Sequence, residues 1–215
     1  LTVEQPDACV SVMPMETIVA VGKMLLERRI PCVIEKPLGT SLLEIEQLAQ
    51  VARQTQTPHV VSVNRRFMPY LNEARSWMQQ HGPLRYVRAS QVRHQRSEPD
   101  FIWSTAIHAL DALRYIAGEI EKFDATVCQP TDESAMWYVI ALQFENGTTG
   151  QLEVLPTAGM VEESYELFAE GSRARVTAGS GTQRSLECWA DGALVIDSHA
   201  AENEPEDLRN GAYQE

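Results

Sequence analysis

The sequence predicts a chain of two halves, α/β and then α+β: a small parallel sheet, followed by an α/β domain with a large, mostly antiparallel open sheet. Three observations carry this. Short apolar runs alternate with helical periodicity over the first sixty-odd residues, the rhythm changes after Asn64, and from Phe123 onward turn signals separate alternating segments.

Ala8–Met13 is an apolar run closed by Pro14, the form of a buried parallel strand. Glu16–Arg29 carries helical spacing through Val19, Met24 and Leu25, with Arg28 and Arg29 placed to suit the C-terminal dipole and Pro31 as the break. Cys32–Ile34 is a second buried strand. Thr40 or Ser41 caps the next helix, and Ser41 has Glu44 three residues on, as a capping box requires. Leu42, Ile45, Leu48, Ala49 and Ala52 mark its apolar face, and Val60–Val63 is a third strand. Strand–helix–strand–helix–strand at this spacing is a right-handed parallel unit, too thin to bury both faces of its sheet by itself.

Tyr70–Gln80 reads as a helix ended by Gly82-Pro83, Leu84–Arg93 alternates, and Ser104–Ala117 is a helix closed by Gly118. Hairpins follow: Met136–Phe144 with Thr149–Leu155 around Asn146-Gly147, Tyr165–Ala169 with Ala174–Thr177 around Gly171, and Ser185–Trp189 with Ala193–Ile196 around Asp191-Gly192. The sheet should hold about six or more strands. Ala178-Gly179-Ser180-Gly181 reads as a turn and Asp197–Asp207 as an acidic loop or tail.

The 215 residues are 44% hydrophobic and 22% charged, ordinary globular values that exclude wholesale disorder. Eighteen Lys+Arg against thirty Asp+Glu give −12, which argues against nucleic acid and anionic membrane as partners. Four scattered cysteines (Cys9, Cys32, Cys128, Cys188), no apolar run long enough to span a bilayer and no signal peptide give a cytoplasmic expectation. The five histidines are far apart, so no metal site is expected. The chain starts at Leu1 and ends at Glu215 just after an acidic stretch, which reads as a fragment of something longer.

Four places could carry chemistry. Glu35-Lys36-Pro37 follows the second strand, and ligands of open parallel sheets bind outside the carboxyl ends of strands. A lysine beside a low-dielectric crevice can pass a proton, although a charged pair at a strand end is equally an ordinary solvated ion pair. His108 sits on the Ser104–Ala117 helix, whose apolar stripe is Ala106, Ala109, Leu110, Leu113 and Ala117. His108, Asp111 and Tyr115 project from another, polar side, with Asp111 spaced to orient the imidazole. Asn64-Arg65-Arg66-Phe67 follows the third strand, where two arginines either grip a phosphate or carboxylate or form salt bridges. Trp103 and Ser104 precede the helix and either line a pocket or join the core.

In this order, Pro6-Asp7-Ala8 with its strand and Pro14, Glu35-Lys36-Pro37-Leu38-Gly39, Arg65-Arg66-Phe67-Met68-Pro69-Tyr70 and Ile107-His108-Ala109-Leu110-Asp111 running to Gly118 resemble the Gfo/Idh/MocA family of NAD(P)-dependent oxidoreductases. The similarity runs from about Gln5 to Thr177. It implies residues 1–64 as the C-terminal half of a Rossmann domain and 65–215 as a substrate and oligomerisation domain. It implies NAD or NADP as cofactor, bordered by Pro14, Glu35, Lys36 and Asn64; Lys36 and His108 as the catalytic pair, meeting in one cleft; and Arg66, Trp103 and Ser104 against a small-molecule substrate. Hydride would pass between the nicotinamide and a sugar- or cyclitol-like alcohol. It further implies a homo-oligomer, dimer or tetramer, through the open sheet, and often a cis Lys–Pro bond.

Two departures qualify these expectations. The glycine-rich fingerprint of the family would lie before Leu1, so the chain as it stands should bind NAD(P) poorly. The family's usual Asp four residues before the histidine is Ser104 here, and Pro99-Asp100 replaces a glycine pair, leaving Asp100 or Asp111 as substitutes. That departure is what favours the alternative of a non-catalytic sensor or regulator.

Overall fold

The computed structural model describes residues 4–129, 131, 135–179 and 184–200. They fall into two compact units, divided between Val63 and Asn64.

The first unit runs β1 (Cys9–Ser11), α1 (Met15–Glu27), β2 (Cys32–Glu35), α2 (Leu42–Thr55), β3 (His59–Ser62). Its strands pair in parallel in that order, with Val10, Val33 and Val60 in one row across the sheet. Ile18, Leu25 and Leu26 of α1 and Leu48 and Ala52 of α2 bury Cys32 and Ile34 on the opposite face. The valine row is left bare, Val10 being 72% exposed. Both helices cover the same face, as two successive right-handed crossovers in one direction require.

Two element ends fall two residues short of the sequence reading, and the other boundaries of this unit differ by at most one, the third strand being His59–Ser62 rather than Val60–Val63. The strand expected over Ala8–Met13 pairs only at Cys9–Ser11, because Pro14 already supplies the N-cap position of α1 and Val12 and Met13 are exposed. The helix expected to reach Arg29 stops at Glu27: Arg29 turns left-handed (φ 57°), its N–H bonds the Leu26 carbonyl at 3.0 Å, and the Ile30 N–H bonds that of Leu25 at 3.0 Å. This is a Schellman closure with arginine where glycine is usual, and it places Arg28 and Arg29 beyond the last turn. The cap of α2 uses both candidate residues. The Ser41 hydroxyl accepts from the Glu44 N–H at 3.3 Å, while the Glu44 carboxylate accepts from the Thr40 N–H at 2.8 Å and the Thr40 hydroxyl at 3.0 Å. Those bonds from Thr40 hold the Glu44 carboxyl below its ordinary value.

The second unit opens with a 3₁₀ turn, Asn64–Phe67, then α3 (Pro69–Gln79), β4 (Tyr86–Val92), α4 (Phe101–Ser104), α5 (Ile107–Ala117), β5 (Ile120–Cys128), β6 (Trp137–Phe144), β7 (Thr149–Leu155), β8 (Glu162–Ala169), β9 (Ser172–Gly179), β10 (Arg184–Ala190) and β11 (Ala193–His199). The eight strands lie in the order β11-β10-β9-β8-β4-β7-β6-β5. All three expected hairpins form, with left-handed Asp191 and Gly192 (φ 49° and 82°) turning the last of them. β4 inserts between β7 and β8 and is parallel to β7, the one parallel seam of this sheet. Gly150 permits the seam, since a Cβ there would stand 2.8 Å from the Val87 carbonyl oxygen.

Leu71, Ala74 and Met78 of α3 and Ala109, Ala112, Leu113 and Ile116 of α5 pack on Val87, Ala89, Leu152, Val154, Leu167 and Val176 of one sheet face. The other face carries successive rows across the strands, among them Trp189-Arg173-Phe168-Tyr86 and Glu187-Arg175-Glu166-Arg88. The helix expected as one piece from Ser104 to Ala117 is two, because Thr105 and Ala106 interrupt it. Of the stretch read as an acidic loop or tail, Asp197–His199 belong to β11 and residues 201–207 lie outside the described residues. Of the turn read at 178–181, Ala178 and Gly179 end β9 and residues 180 and 181 lie outside the described residues.

Candidate functional site

The carboxyl end of the parallel sheet gathers Ser11, Glu35 and Ser62 in neighbouring register positions. Glu35 is the last residue of β2, Lys36 follows it half-buried, and the Lys36–Pro37 bond is cis, as the resemblance implied. Pro14 stands exposed after β1. The hydroxyl of Ser11, 4% exposed, has no hydrogen-bond partner among the described residues. A buried donor left over at a strand end, an acidic residue and a lysine beside it make a fitting edge for the hydroxyl-rich ribose of a dinucleotide.

The loop that carries Lys36 is pinned at Gly39, where φ is 143° and a Cβ would meet Val19 and Glu44 at 3.1 Å. Gly39→Ala is expected to lower stability by about 1–3 kcal/mol, read as a lower urea midpoint with unchanged slope.

In the second unit Trp103 is 47% exposed on α4, so it is not part of the core. Ser104 ends α4, and His108 is the second residue of α5. His108 and Asp111, expected on a polar helix side, are both buried, each 8% exposed, while Leu110 of the expected apolar stripe is only partly so. The reason is that the 3₁₀ turn packs on α5 and supplies a charge partner for that side. Arg66 donates from Nε to Asp111 at 3.0 Å and from Nη2 to its other oxygen. Asn64 accepts from Arg65 Nη1 at 2.9 Å.

Arg65 turns to Glu163, donating from Nε and Nη2 at 2.8 Å each, and Arg93 donates to the same carboxylate at 2.5 Å. Tyr165 and Gln91 complete the set at 3.3 and 3.4 Å. Burial opposes the charge on Glu163, but hydrogen bonds and charge from Arg65, then Arg93, outweigh it and hold the carboxyl far below the usual carboxylate range. Sequence reasoning missed Glu163 because it began that strand at Tyr165. The signal was present: Glu163, Tyr165 and Leu167 alternate onto the core face. Both arginines of the Arg65-Arg66 pair therefore bind carboxylates of their own unit.

Among the described residues there is no group of three His, Cys, Asp or Glu side chains that could hold a metal, and no helix is long and apolar enough to cross a membrane.

No protein-family model and no curated protein matches the chain. Solved structures do, and they define the class of fold. A dehydrogenase from Chromobacterium violaceum superposes with a TM-score of 0.83 at 18% identity over 98% of this chain and 67% of its own. A Gfo/Idh/MocA family oxidoreductase from Vibrio cholerae gives 0.80 at 21% over 95% of this chain and 65% of its own. An oxidoreductase from Agrobacterium radiobacter, in complex with NAD+, L-tartaric acid and magnesium, gives 0.81 at 15% over 99% and 68%. The chain thus spans about two thirds of the length of these proteins, and its fold is that of the Gfo/Idh/MocA oxidoreductases.

Proposed function

We propose that the intact protein is an NAD(P)-dependent oxidoreductase that moves hydride between nicotinamide and a sugar- or cyclitol-like alcohol. The observation that supports it is Glu35-Lys36-cis-Pro37 at the carboxyl end of a parallel sheet, in the fold of known oxidoreductases. NAD(P), when bound, supplies the hydride acceptor. Pro14, Glu35 and Asn64 border it, and the Lys36 ammonium donates to the ribose and to the substrate hydroxyl. His108 takes the hydroxyl proton as the carbon is oxidised, and returns it in reduction. Trp103 offers an exposed ring face to a sugar, and Arg66 and Ser104 offer donors.

The experiment is a screen of the full-length protein with NAD and NADP against polyols and sugars. Turnover supports the enzyme. Dinucleotide binding without turnover on any of them supports the second reading, a sensor or regulator, which Ser104 in place of a carboxylate favours.

Self-association belongs to the same proposal. The sheet face with Trp189, Phe168 and Tyr86 is not covered by the helices packed opposite, and its Arg88–Glu166–Arg173 ion pairs suit an isologous contact. Ser164→Arg, at the middle of that face, should convert a dimer or tetramer to smaller species in sedimentation, with unchanged circular dichroism; a monomeric parent would remove this part.

A further inference from the structure

We infer that Gln91 is a positioning residue for His108. The inference rests on the reading of His108 as the proton-handling group. Gln91 lies on β4 at a core-facing position, after Val87 and Ala89, and is 0% exposed. Packing alone calls for an apolar side chain there. Its amide instead reaches across to the joint between α4 and α5: Nε2 donates to the Thr105 carbonyl at 3.2 Å. That same carbonyl accepts the His108 N–H at 3.2 Å.

The other neighbour of Nε2 is the Glu163 carboxylate at 3.4 Å. Two acceptors on one side fix which way the amide points. Its Oε1 is buried and accepts from no donor among the described residues, a cost that an apolar residue of the same size would avoid. A structure that tolerates this for the sake of the Nε2 contacts is holding the Thr105 carbonyl in place. Glu163 is itself clamped by Arg65 and Arg93, so the chain Glu163–Gln91–Thr105–His108 ties the first turn of α5 to a buried ionic group on the sheet.

The geometry matters because Thr105 and Ala106 interrupt the helix. No side chain caps the N-terminus of α5, and the Gln91 bond to the Thr105 carbonyl ties this joint to the sheet beside the backbone bonds made by Thr105, Ala106 and His108. An ångström of misplacement at a proton-transfer group costs on the order of 10²-fold in rate.

The test uses the full-length protein labelled with ¹⁵N-histidine, the His108 ring signals being assigned by their loss in His108→Asn. Gln91→Met fills the same volume but cannot donate. It is expected to shift the His108 ring nitrogens and leave those of His59, His81, His94 and His199 in place, with a melting temperature at or above that of the parent. Gln91→Ala should shift them as well. His108 signals that move in Gln91→Ala but return to the parent position in Gln91→Met would show a packing role and overturn the inference, as would signals unmoved in both. The premise fails separately: His108→Asn with undiminished turnover removes His108 from the chemistry whatever the ring signals do.

Discussion

Lys36→Met in the full-length protein is expected to lower turnover by about 10²–10⁴-fold, the range that a positioned proton donor or acceptor supplies. Methionine matches the length and apolar stem of lysine and lacks only the charged donor. The backbone around it is held by other groups as well: β2 is paired on both sides, Pro37 fixes the following backbone, and Gly39 closes the loop against Val19 and Glu44. The expected loss falls on the rate constant, and the melting temperature separates it from any loss of folding. Steady-state kinetics with whichever alcohol the screen identifies would show it as a fall in kcat with little change in melting temperature. A variant that turns over like the parent would remove Lys36 from the mechanism, and a matching His108→Asn measurement would show whether the two side chains serve one reaction, since groups acting as a unit lose far less when combined than the sum of their single effects.

Much of this architecture was legible in the sequence because it depends on local signals. Asn146-Gly147, Gly171 and Asp191-Gly192 each require a left-handed residue, and each turned the chain where expected. Ser41 and Glu44 announced the start of α2. The parallel β4–β7 seam was not legible, since it depends on Gly150 admitting a neighbour 63 residues earlier in the chain. The same is true of the site. Glu35-Lys36-Pro37 stands at the end of a strand and is found by its neighbours in sequence. Asp111 is buried with Arg66, 45 residues before it, as its charge partner, and a helical wheel has no knowledge of that. A polar stripe reads as solvated until its partner is known. Arg28 and Arg29 failed for a smaller reason: Pro31 was read as the break, whereas the Schellman closure, with arginine in the place of glycine, ended the helix at Glu27.

Glu163→Gln is expected to destabilise the second unit by about 3–5 kcal/mol, the cost of leaving a buried charge without its counterpart. Here two guanidiniums lose it: the Arg65 and Arg93 side chains are only 15% and 11% exposed. Glutamine keeps the shape and one acceptor, so the loss reports charge more than packing. The acid limb of the stability curve gives an independent reading. The Glu163 carboxyl titrates far lower in the folded chain than in the unfolded one, so the unfolded state binds its proton first as the pH falls. Its contribution is complete above the ordinary carboxylate value of about 4.3 and is lost progressively below it. Urea midpoints for the parent should thus drop steeply from about pH 5 downward, and those of Glu163→Gln should start lower and fall less. Parallel curves for the two proteins would mean that Glu163 carries no depressed titration. Because Gln91 shares the Glu163 oxygen that Arg93 binds, the same variant should also disturb the His108 ring signals, linking the stability of the sheet to the placement of the imidazole.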